Sequence, residues 1–230
     1  MTTPSELTDR LEILLNDETN ATWTVPDLQE FLNNAMRDYS IQFPRTVSTT
    51  INCVADQQTY DLPSDCIGLL LVAYPGADDP PTYLERRART HDAFWDYEGY
   101  YDVQYSGTGE GDSPTTRGTL YISQAPAAGE TINIAYSATH NTDLKDIEHI
   151  TVPDEHEHLL LLFAVWQASL ERLATEQQNP DMTTNLINSL SRATEHNEQA
   201  YRRSLKAAHD ARNISGLSGP WKSDIHDPIY

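Results

Sequence analysis

The sequence predicts an α+β fold, in which a helical bundle of N-terminal helices and a C-terminal helical hairpin accompanies a β-rich middle block. Apolar residues recur at helical spacing up to about residue 43 and again beyond residue 153. Between these segments they alternate, or form short runs bounded by proline and glycine, as strands do. These changes of period predict four regions: N-terminal helices (1–44), a β-rich domain (45–152), a C-terminal helical pair that packs with the first region (153–212) and an extended docking tail (213–230).

The first region predicts two helices that end at Pro44. In the first, Ser5 is placed to act as the N-cap. In the second, Thr24 is the predicted N-cap and Pro26 lies in the first turn, where a missing N–H costs nothing. The apolar stripe predicted for the first helix consists of Leu7, Leu11, Leu14 and Leu15.

The middle block predicts strands. "TVSTTINCV" alternates, which places Val47, Thr49 and Ile51 on one face. "IGLLLVAY" is a short apolar run between two prolines and predicts a buried strand. "GTLYISQ" and "TINIAYSA" alternate again and are joined by a turn in "APAAGE". The Tyr-, Gly- and Asp-rich segment that precedes them predicts a long exposed loop or hairpin.

The third region predicts an antiparallel helical hairpin. "VPDEHEHLLLLFAVWQASLERLATEQQ" begins at Pro153 and carries a dense apolar face. The second helix is more polar, and its narrow predicted stripe indicates that its outer face meets solvent or another subunit. That stripe consists of Leu186, Leu190, Ala193, Ala200 and Leu205.

The charge of the chain restricts its partners. Asp and Glu number 35 against 15 Lys and Arg, for a formal net charge of -20. Such a chain is repelled by phosphate backbones, which argues against tight nucleic-acid binding. Lysine is confined to Lys145, Lys206 and Lys222, a pattern expected of proteins that work in concentrated salt, although an ordinary acidic protein is the alternative. No apolar run approaches the roughly 20 residues that span a bilayer, and the polar N-terminus is unlike a signal peptide, so we expect a protein of the cytoplasm or of a particle and no membrane partner.

The stretch "VPDEHEHLLLLFAVW" raises the question of a metal or acid–base site. His156 and His158 are two residues apart, so on a helix they point about 200° apart and cannot bind one ion. The acids beside them fit the first turn of a helix, where the dipole favours negative charge. The sequence therefore predicts no catalytic residue, no cofactor and no metal. The alternative is a hydrolase or metalloenzyme that uses these two histidines together with His149.

Two further features indicate contacts with other chains. Arg86, Arg87 and Arg89 form the basic cluster of "ERRAR", and guanidinium groups can bind an acidic neighbouring subunit through paired hydrogen bonds. An ordinary solvated patch is the alternative. The tail predicts a partner-docking segment, with the alternative that it lies on its own domain, because isolated apolar residues in flexible segments often anchor to a partner. These residues are Trp221, Ile225, Ile229 and Tyr230.

Cys53 and Cys66 lie in strand-like segments and are most simply small buried residues. The sequence leaves open whether they form a disulfide.

The order of elements, together with two short motifs, resembles the head–tail adaptor (connector) proteins of tailed bacteriophages and archaeal tailed viruses. The first motif has the form "W-[TV]-x-x-x-L-x-x-x-L-N-x-A" and the second the form "Y-x-L-P-x-D". The matching residues are Trp23, Leu28, Leu32, Asn33 and Ala35 in the first and Tyr60, Leu62, Pro63 and Asp65 in the second. The "VPDEHEHLLLLFAVWQASLERL" segment is similar to the start of the C-terminal helical pair in such proteins.

The resemblance implies a structural virion protein without enzymatic activity. It implies a ring, usually a homododecamer, that docks beneath the portal, meets the next tail or connector protein and lets genomic DNA pass without specific binding. The C-terminal segment of such proteins commonly reaches the portal. The expected location is the head–tail junction of the virion, assembled in the host cytoplasm, and the acidity suggests a halophilic archaeal virus.

Besides the hydrolase or metalloenzyme, the sequence leaves two alternatives to the adaptor. One is a tail-completion or tail-terminator protein of the same virion. The other, of a different class, is a glycan-binding or adhesion module that uses the Tyr-rich segment from Tyr97 to Tyr105.

Overall fold

The computed structural model describes residues 2–105, 118–141, 149–179 and 181–214. The chain divides into two compact units, one of Met1–Gln42 with His140–Tyr230 and the other of Phe43–Thr139. The first unit is helical and the second is built mainly of strands, which confirms the α+β class and the C-terminal helical pair. Among the described residues, no helix is long and apolar enough to cross a membrane.

The helical unit combines segments from the two ends of the sequence. Its described helices are α1 (Pro4–Leu15), α2 (Val25–Gln42), a short 3-10 turn (Asp154–His156), α4 (Glu157–Gln177) and α5 (Thr184–Ile214). The strand unit contains the short helix α3 (Ala93–Asp96).

The start of α1 differs from its prediction. Thr3, and not Ser5, is the N-cap: its Oγ1 accepts from the Glu6 amide at 3.3 Å, and its own amide donates to the Glu6 carboxylate at 2.8 Å. Pro4 occupies the first helical position, where its missing N–H leaves no bond unmade. The proline therefore moves the cap two residues upstream of the predicted one.

The predicted stripe of α1 is right except at Leu14. Leu7 and Leu11 are fully buried and Leu15 is half-buried, but Leu14 is 55% exposed. Leu14 and Leu15 line an open groove between α1, α4 and α5 that other side chains do not fill.

The start of α2 follows its prediction. The Asp27 amide donates to Thr24 Oγ1 at 3.4 Å, and the Thr24 amide donates to the Asp27 carboxylate at 2.8 Å. This reciprocal pair satisfies amides that the helix itself leaves without partners. The buried face of α2 consists of Leu28, Phe31, Leu32, Ala35, Met36, Tyr39 and Ser40.

The helices α4 and α5 form the predicted antiparallel hairpin. Residues later in α5 meet residues earlier in α4: Thr194 Oγ1 donates to the Ser169 carbonyl (3.3 Å), whereas the Tyr201 ring stacks on Trp166, with 6.2 Å between centroids. Asn197 Nδ2 adds a bond to Ser169 Oγ at 2.8 Å. The polar side chains at this seam are therefore satisfied across the hairpin.

The predicted stripe of α5 is right only in part: Leu190, Ala200 and Leu205 are half-buried, whereas Leu186 and Ala193 are exposed. Where burial in α5 is described, the buried residues are Thr194, Tyr201 and Ala208, each one heptad from the next. A stripe sought among apolar residues misses a seam that uses a threonine hydroxyl and a tyrosine ring.

The described residues of the strand unit form two sheets. The three-stranded sheet has the order β1 (Arg45–Asn52), β7 (Thr131–Ala138), β3 (Cys66–Ala73) and is antiparallel. The four-stranded sheet has the order β2 (Thr59–Asp61), β6 (Gly118–Ile122), β5 (Tyr100–Tyr105), β4 (Glu85–Arg86), in which the β4–β5 pair is parallel. Buried residues of both sheets belong to one apolar cluster, which includes Val72, Tyr101, Leu120, Ile122, Ile132 and Ile134.

The strand pairing shows how two predicted connections, the "APAAGE" turn and the Tyr-rich segment, are used. The turn in "APAAGE" is present, with Gly129 at φ 86°, but it joins β6 to β7, which belong to different sheets. The strands β5 and β6 are antiparallel neighbours, so the Tyr-rich segment contributes to a hairpin. Residues 106–117 of that segment lie outside the described residues.

Two strand predictions have different outcomes. In β1 the odd-numbered residues are half-buried and the even-numbered residues exposed, as the alternation predicts. The strand β3 is not buried throughout: Ile67, Leu70 and Leu71 are 40%, 43% and 50% exposed. The reason is that β3 lies at the margin of its sheet and is interrupted by register shifts. Cys53 and Cys66 are both buried, and neither belongs to a disulfide bond.

Candidate assembly surfaces

The predicted arginine cluster lies at one margin of the four-stranded sheet. Arg86 belongs to the edge strand β4 and is exposed. Arg87 and Arg89 follow it and are half-buried, and the Arg87 amide donates to the Tyr101 carbonyl at 2.9 Å. Arg86 is in register with Tyr101, whose side chain is buried in the core. Arg87 and Arg89 lie on the opposite, outer face of the sheet, beside Tyr100 and Tyr121.

Tyrosines of the neighbouring strands support two of these arginines. The Arg87 guanidinium lies 4.1 Å from the centroid of the Tyr100 ring, and that of Arg89 lies 4.2 Å from the centroid of the Tyr121 ring. Arg89 Nη2 also donates to Gln104 Oε1 at 2.7 Å. These cation–π contacts hold the Arg87 and Arg89 side chains against the sheet.

The arginines remain available for anionic partners. A guanidinium that rests on an aromatic face keeps its N–H groups in its own plane, where they can pair with a carboxylate. Within the described residues, no carboxylate lies within salt-bridge distance of Arg86, Arg87 or Arg89. Arg87 and Arg89 thus form a preordered cationic surface in a chain with a net charge of -20.

Sequence reasoning missed the role of Tyr100 and Tyr121. The signal was present as tyrosines at alternate positions of two strands, but only the β5–β6 register shows which ones face the arginines. In that register Asp102 pairs with Tyr121, so Tyr100, Asp102 and Tyr121 share the outer face.

The tyrosines of the Tyr97–Tyr105 segment are spread over different environments. Tyr101 is buried in the core, and Tyr100 lies beneath Arg87. The Tyr105 hydroxyl accepts a hydrogen bond from the Leu69 amide at 3.1 Å. Tyr97 is exposed. The segment therefore does not present a continuous aromatic platform of the kind that a sugar ring would stack on.

The histidines of the alternative metal site have separate surroundings. His156 Nδ1 lies 2.6 Å from the Tyr39 hydroxyl, and His158 Nδ1 lies 2.9 Å from the Glu155 carbonyl. His149 is exposed. In the part of the chain that the structure describes, no three or more His, Cys, Asp or Glu side chains are grouped so that they could hold a metal ion.

Burial controls the protonation of the His156–Tyr39 pair. Desolvation lowers the pKa of His156 below its ordinary value, although Glu155 opposes this effect. Desolvation also raises the pKa of Tyr39 to about 12. Both side chains are therefore neutral at pH 7, and the pair is a hydrogen bond between α2 and the start of α4.

Glu157, one of the acids in "VPDEHEHLLLLFAVW", does more than place negative charge at the start of a helix. Glu157 is buried, and its Oε2 accepts from Arg10 Nη1 at 2.7 Å. Its other carboxylate oxygen, Oε1, is buried and has no hydrogen-bond partner in the described residues. This ion pair connects α1 to α4, so Glu157 is a packing residue of the helical unit.

The residues of the first motif occupy positions in the helical core. Trp23 is buried and meets the Phe31 ring edge-on, with 5.4 Å between centroids. Its amide donates to Asp17 Oδ2 at 2.8 Å, and this bond lowers the pKa of the Asp17 carboxyl. Leu28, Leu32 and Ala35 are buried in α2.

The residues of the second motif pack in the strand unit. Tyr60 and Leu62 are buried, and the Tyr60 hydroxyl donates to the Gln57 carbonyl at 2.7 Å. Asp65 accepts from the Tyr136 hydroxyl at 3.1 Å and pairs with Arg45 at 3.4 Å. Both motifs therefore specify the fold of their units and not a reacting centre.

The predicted docking residues of the tail, Trp221, Ile225, Ile229 and Tyr230, lie outside the described residues. They stay predictions.

The comparisons with known proteins identify the family. The family model described as the SU10 adaptor protein matches residues 2–223, which include every described helix and strand. A comparison with curated proteins gave no significant match. The predicted resemblance to a head–tail adaptor is confirmed at the level of this family. Because the match covers nearly the whole chain, this chain belongs to the SU10 adaptor protein family, a family of structural adaptors and not of enzymes.

Proposed function

We propose that this chain is a head–tail adaptor that assembles as a ring, a homododecamer, beneath the portal of a tailed virus. The ring joins the capsid to the next tail or connector protein, and genomic DNA passes through its lumen. The observation that carries this proposal is the match of the SU10 adaptor family to residues 2–223. The ring is assembled in the host cytoplasm and stays at the head–tail junction of the virion.

The charges of the chain support such a ring. Closed rings use head-to-tail contacts, so each subunit needs two different and complementary surfaces. Arg87 and Arg89, which rest on tyrosine rings, supply a preordered cationic surface, and Arg86 lies next to them in the sequence. A groove between α2 and α4 that contains Asp27, Glu30 and Glu171 supplies an acidic one. We assign the arginine cluster to the contact with an acidic surface of the neighbouring copy.

The same charge suits the passage of DNA. A net charge of -20 disfavours binding to phosphates, so DNA can move through a ring of such subunits without being held. The excess of acids also suits a virus of a halophilic archaeal host, since concentrated salt screens the repulsion between subunits.

The tail provides the contact with the portal. Deleting residues 216–230 should leave the helical and strand units folded, because the deletion begins after the end of α5 at Ile214. The truncated chain should lose its binding to the portal of the same virus, measured by co-sedimentation in high salt. Replacing both Trp221 and Ile225 with alanine should weaken binding in the same way.

Controls in the same segment separate the apolar residues from tail length and charge. A chain with Lys222→Ala and Ser223→Ala keeps all four predicted docking residues and should bind as the unchanged protein does. Circular dichroism of each variant checks that the helices are retained. Undiminished binding by the truncated chain would refute the role of the tail.

A further inference from the structure

The two margins of the three-stranded sheet differ in their hydrogen bonding. At the β1 margin, the Cys53 amide donates to the Glu130 carbonyl at 2.9 Å. This bond shows which residues of β1 form the hydrogen-bonded pairs with β7. Residues opposite each other in an antiparallel ladder alternate between bonded and non-bonded pairs. The odd-numbered residues of β1 therefore bond to β7, and the even-numbered residues direct their N–H and C=O groups away from the sheet.

These outward groups form an open edge. They belong to Thr46, Ser48, Thr50 and Asn52, all of which are exposed. Within the described residues, their backbone groups form no hydrogen bond beyond the β1–β7 pair. The open edge of β1 thus presents a row of four donors and four acceptors.

The opposite margin, formed by β3, is closed. The Leu69 amide donates to the Tyr105 hydroxyl at 3.1 Å. The Tyr74 amide donates to the Thr82 carbonyl at 2.9 Å, and the Val72 carbonyl accepts the Leu84 amide at 2.8 Å. The contrast makes the open edge of β1 a feature of one side of the sheet and not of the whole sheet.

The open edge lacks the sequence features that prevent edge strands from pairing with another chain. Proline, lysine and bulges normally protect exposed edge strands from pairing with another chain. The strand β1 reads "RTVSTTIN", has no proline or lysine, and keeps an unbroken register with β7 over its whole length. Its one charged residue, Arg45, is turned to the Thr139 carbonyl (3.1 Å) and to Asp65. The edge is therefore competent to pair.

The surface beside the open edge is free of charge. A groove of about 460 Å³ lies on the outer face of the sheet, and none of its lining residues is charged. They include Ser48 and Thr50 of β1, Leu71 of β3 and Asn133 of β7. In a chain with a net charge of -20, such a surface is where a second copy can approach with the least repulsion.

The open edge is also complementary to itself. Two β1 strands placed antiparallel about a two-fold axis at Thr49 pair Thr46 with Asn52 and Ser48 with Thr50. In this register every outward-pointing residue faces another outward-pointing residue, so all donors and acceptors are matched. Cross-strand contacts between Ser and Thr are favourable, and no like charges meet.

We propose that the open edge of β1 binds the same edge of a second copy, so that the free protein is a two-fold dimer with one sheet continuous across both copies. A two-fold contact cannot link subunits that all point the same way around a ring. The dimer is thus a state of the protein before ring assembly, in which each copy occupies the open edge of the other. The proposal of a dimer does not depend on the proposed ring or on binding to the portal.

Light scattering of the portal-free protein tests the dimer. The unchanged chain, of 25.9 kDa, should have twice its chain mass at micromolar concentration, and the dimer should tighten as salt is raised, because salt screens the repulsion between acidic copies. Ser48→Pro should give monomers, since it removes an outward N–H that the β1–β7 ladder does not use. A chain that stays monomeric at all concentrations and salts would overturn the proposal.

A charge exchange tests the register. A chain with Ser48→Lys and Thr50→Lys, and one with Ser48→Glu and Thr50→Glu, should each be monomeric, because like charges would face each other across the axis. Mixed, they should form a one-to-one dimer, since each lysine then faces a glutamate. Ala128→Lys, at an exposed turn of the same unit, should dimerise as the unchanged chain does. Homodimers of either charged variant, or failure of the folded pair to combine, would contradict edge pairing.

Discussion

Replacing Tyr201 with alanine is expected to destabilise the helical unit by about 3–5 kcal/mol, the range for truncating a large buried aromatic side chain. Tyr201 is buried at the seam between α4 and α5. Its ring meets Phe163 edge-on at 5.2 Å and stacks on Trp166 at 6.2 Å between centroids. Its hydroxyl donates to the Asp38 carboxylate of α2. One side chain thus joins three helices, and its loss leaves a cavity where they meet.

Tyr201→Phe separates the ring from the hydroxyl. It keeps the aromatic contacts and removes the bond to the half-buried Asp38 carboxylate, so it should cost about 1.5–3 kcal/mol, the range for a hydrogen bond to a charged group. The measurement is urea unfolding followed by the helical circular dichroism signal, with the free energies extrapolated to water. If Tyr201→Ala costs no more than Tyr201→Phe, the ring does not join the three helices as described.

Replacing Arg10 with methionine is the second change with a large expected effect. It leaves the Glu157 carboxylate without its counter-charge, and the Glu157 side chain is 7% exposed. Removing one partner of a buried pair costs about 3–5 kcal/mol, but the Arg10 side chain is 51% exposed and water compensates part of the loss, so we expect about 1–3 kcal/mol.

The double variant Arg10→Met, Glu157→Met provides the control. It removes the charge that Arg10→Met leaves uncompensated, together with Glu157 Oε1, which has no partner among the described residues. Apolar replacement of a whole buried pair is often neutral or stabilising. The double variant should therefore unfold at a higher urea concentration than Arg10→Met alone. Additive losses would show that the carboxylate is not held by this pair.

The fold class was predictable because periodicity is a local property of the sequence. The change from helical spacing to alternation and back is strong in "DLQEFLNNAMRDY", "TVSTTIN" and the segment after Pro153. The α2 cap was also predictable, because Thr24 and Asp27 satisfy each other within four residues.

The errors arise where the structure depends on distant residues. The seam of α5 uses Thr194 and Tyr201, whose polar atoms are satisfied by α4 and α2, so hydrophobicity alone did not reveal it. The separation of β6 and β7 into two sheets follows from long-range pairing, which a well-formed turn does not determine. The exposed apolar residues of β3 have the same origin, because burial of a strand depends on what covers it.

The assembly surfaces were predictable in residue type but not in geometry. The sequence identifies Arg86, Arg87 and Arg89 as a basic cluster, but their support by Tyr100 and Tyr121 depends on the β5–β6 register. The open edge of β1 is visible only when its ladder with β7 is known. In both cases the residue types are read from the sequence, whereas their relative positions follow from the pairing of the strands.

We propose that this chain forms a ring on a portal, and the mass of the complex tests this proposal. The mass is measured by light scattering in high salt, for the portal of the same virus mixed with an excess of this protein. We expect one complex whose added mass corresponds to a full ring of subunits, saturating at a fixed ratio. A folded chain that leaves the mass of the portal unchanged would contradict it.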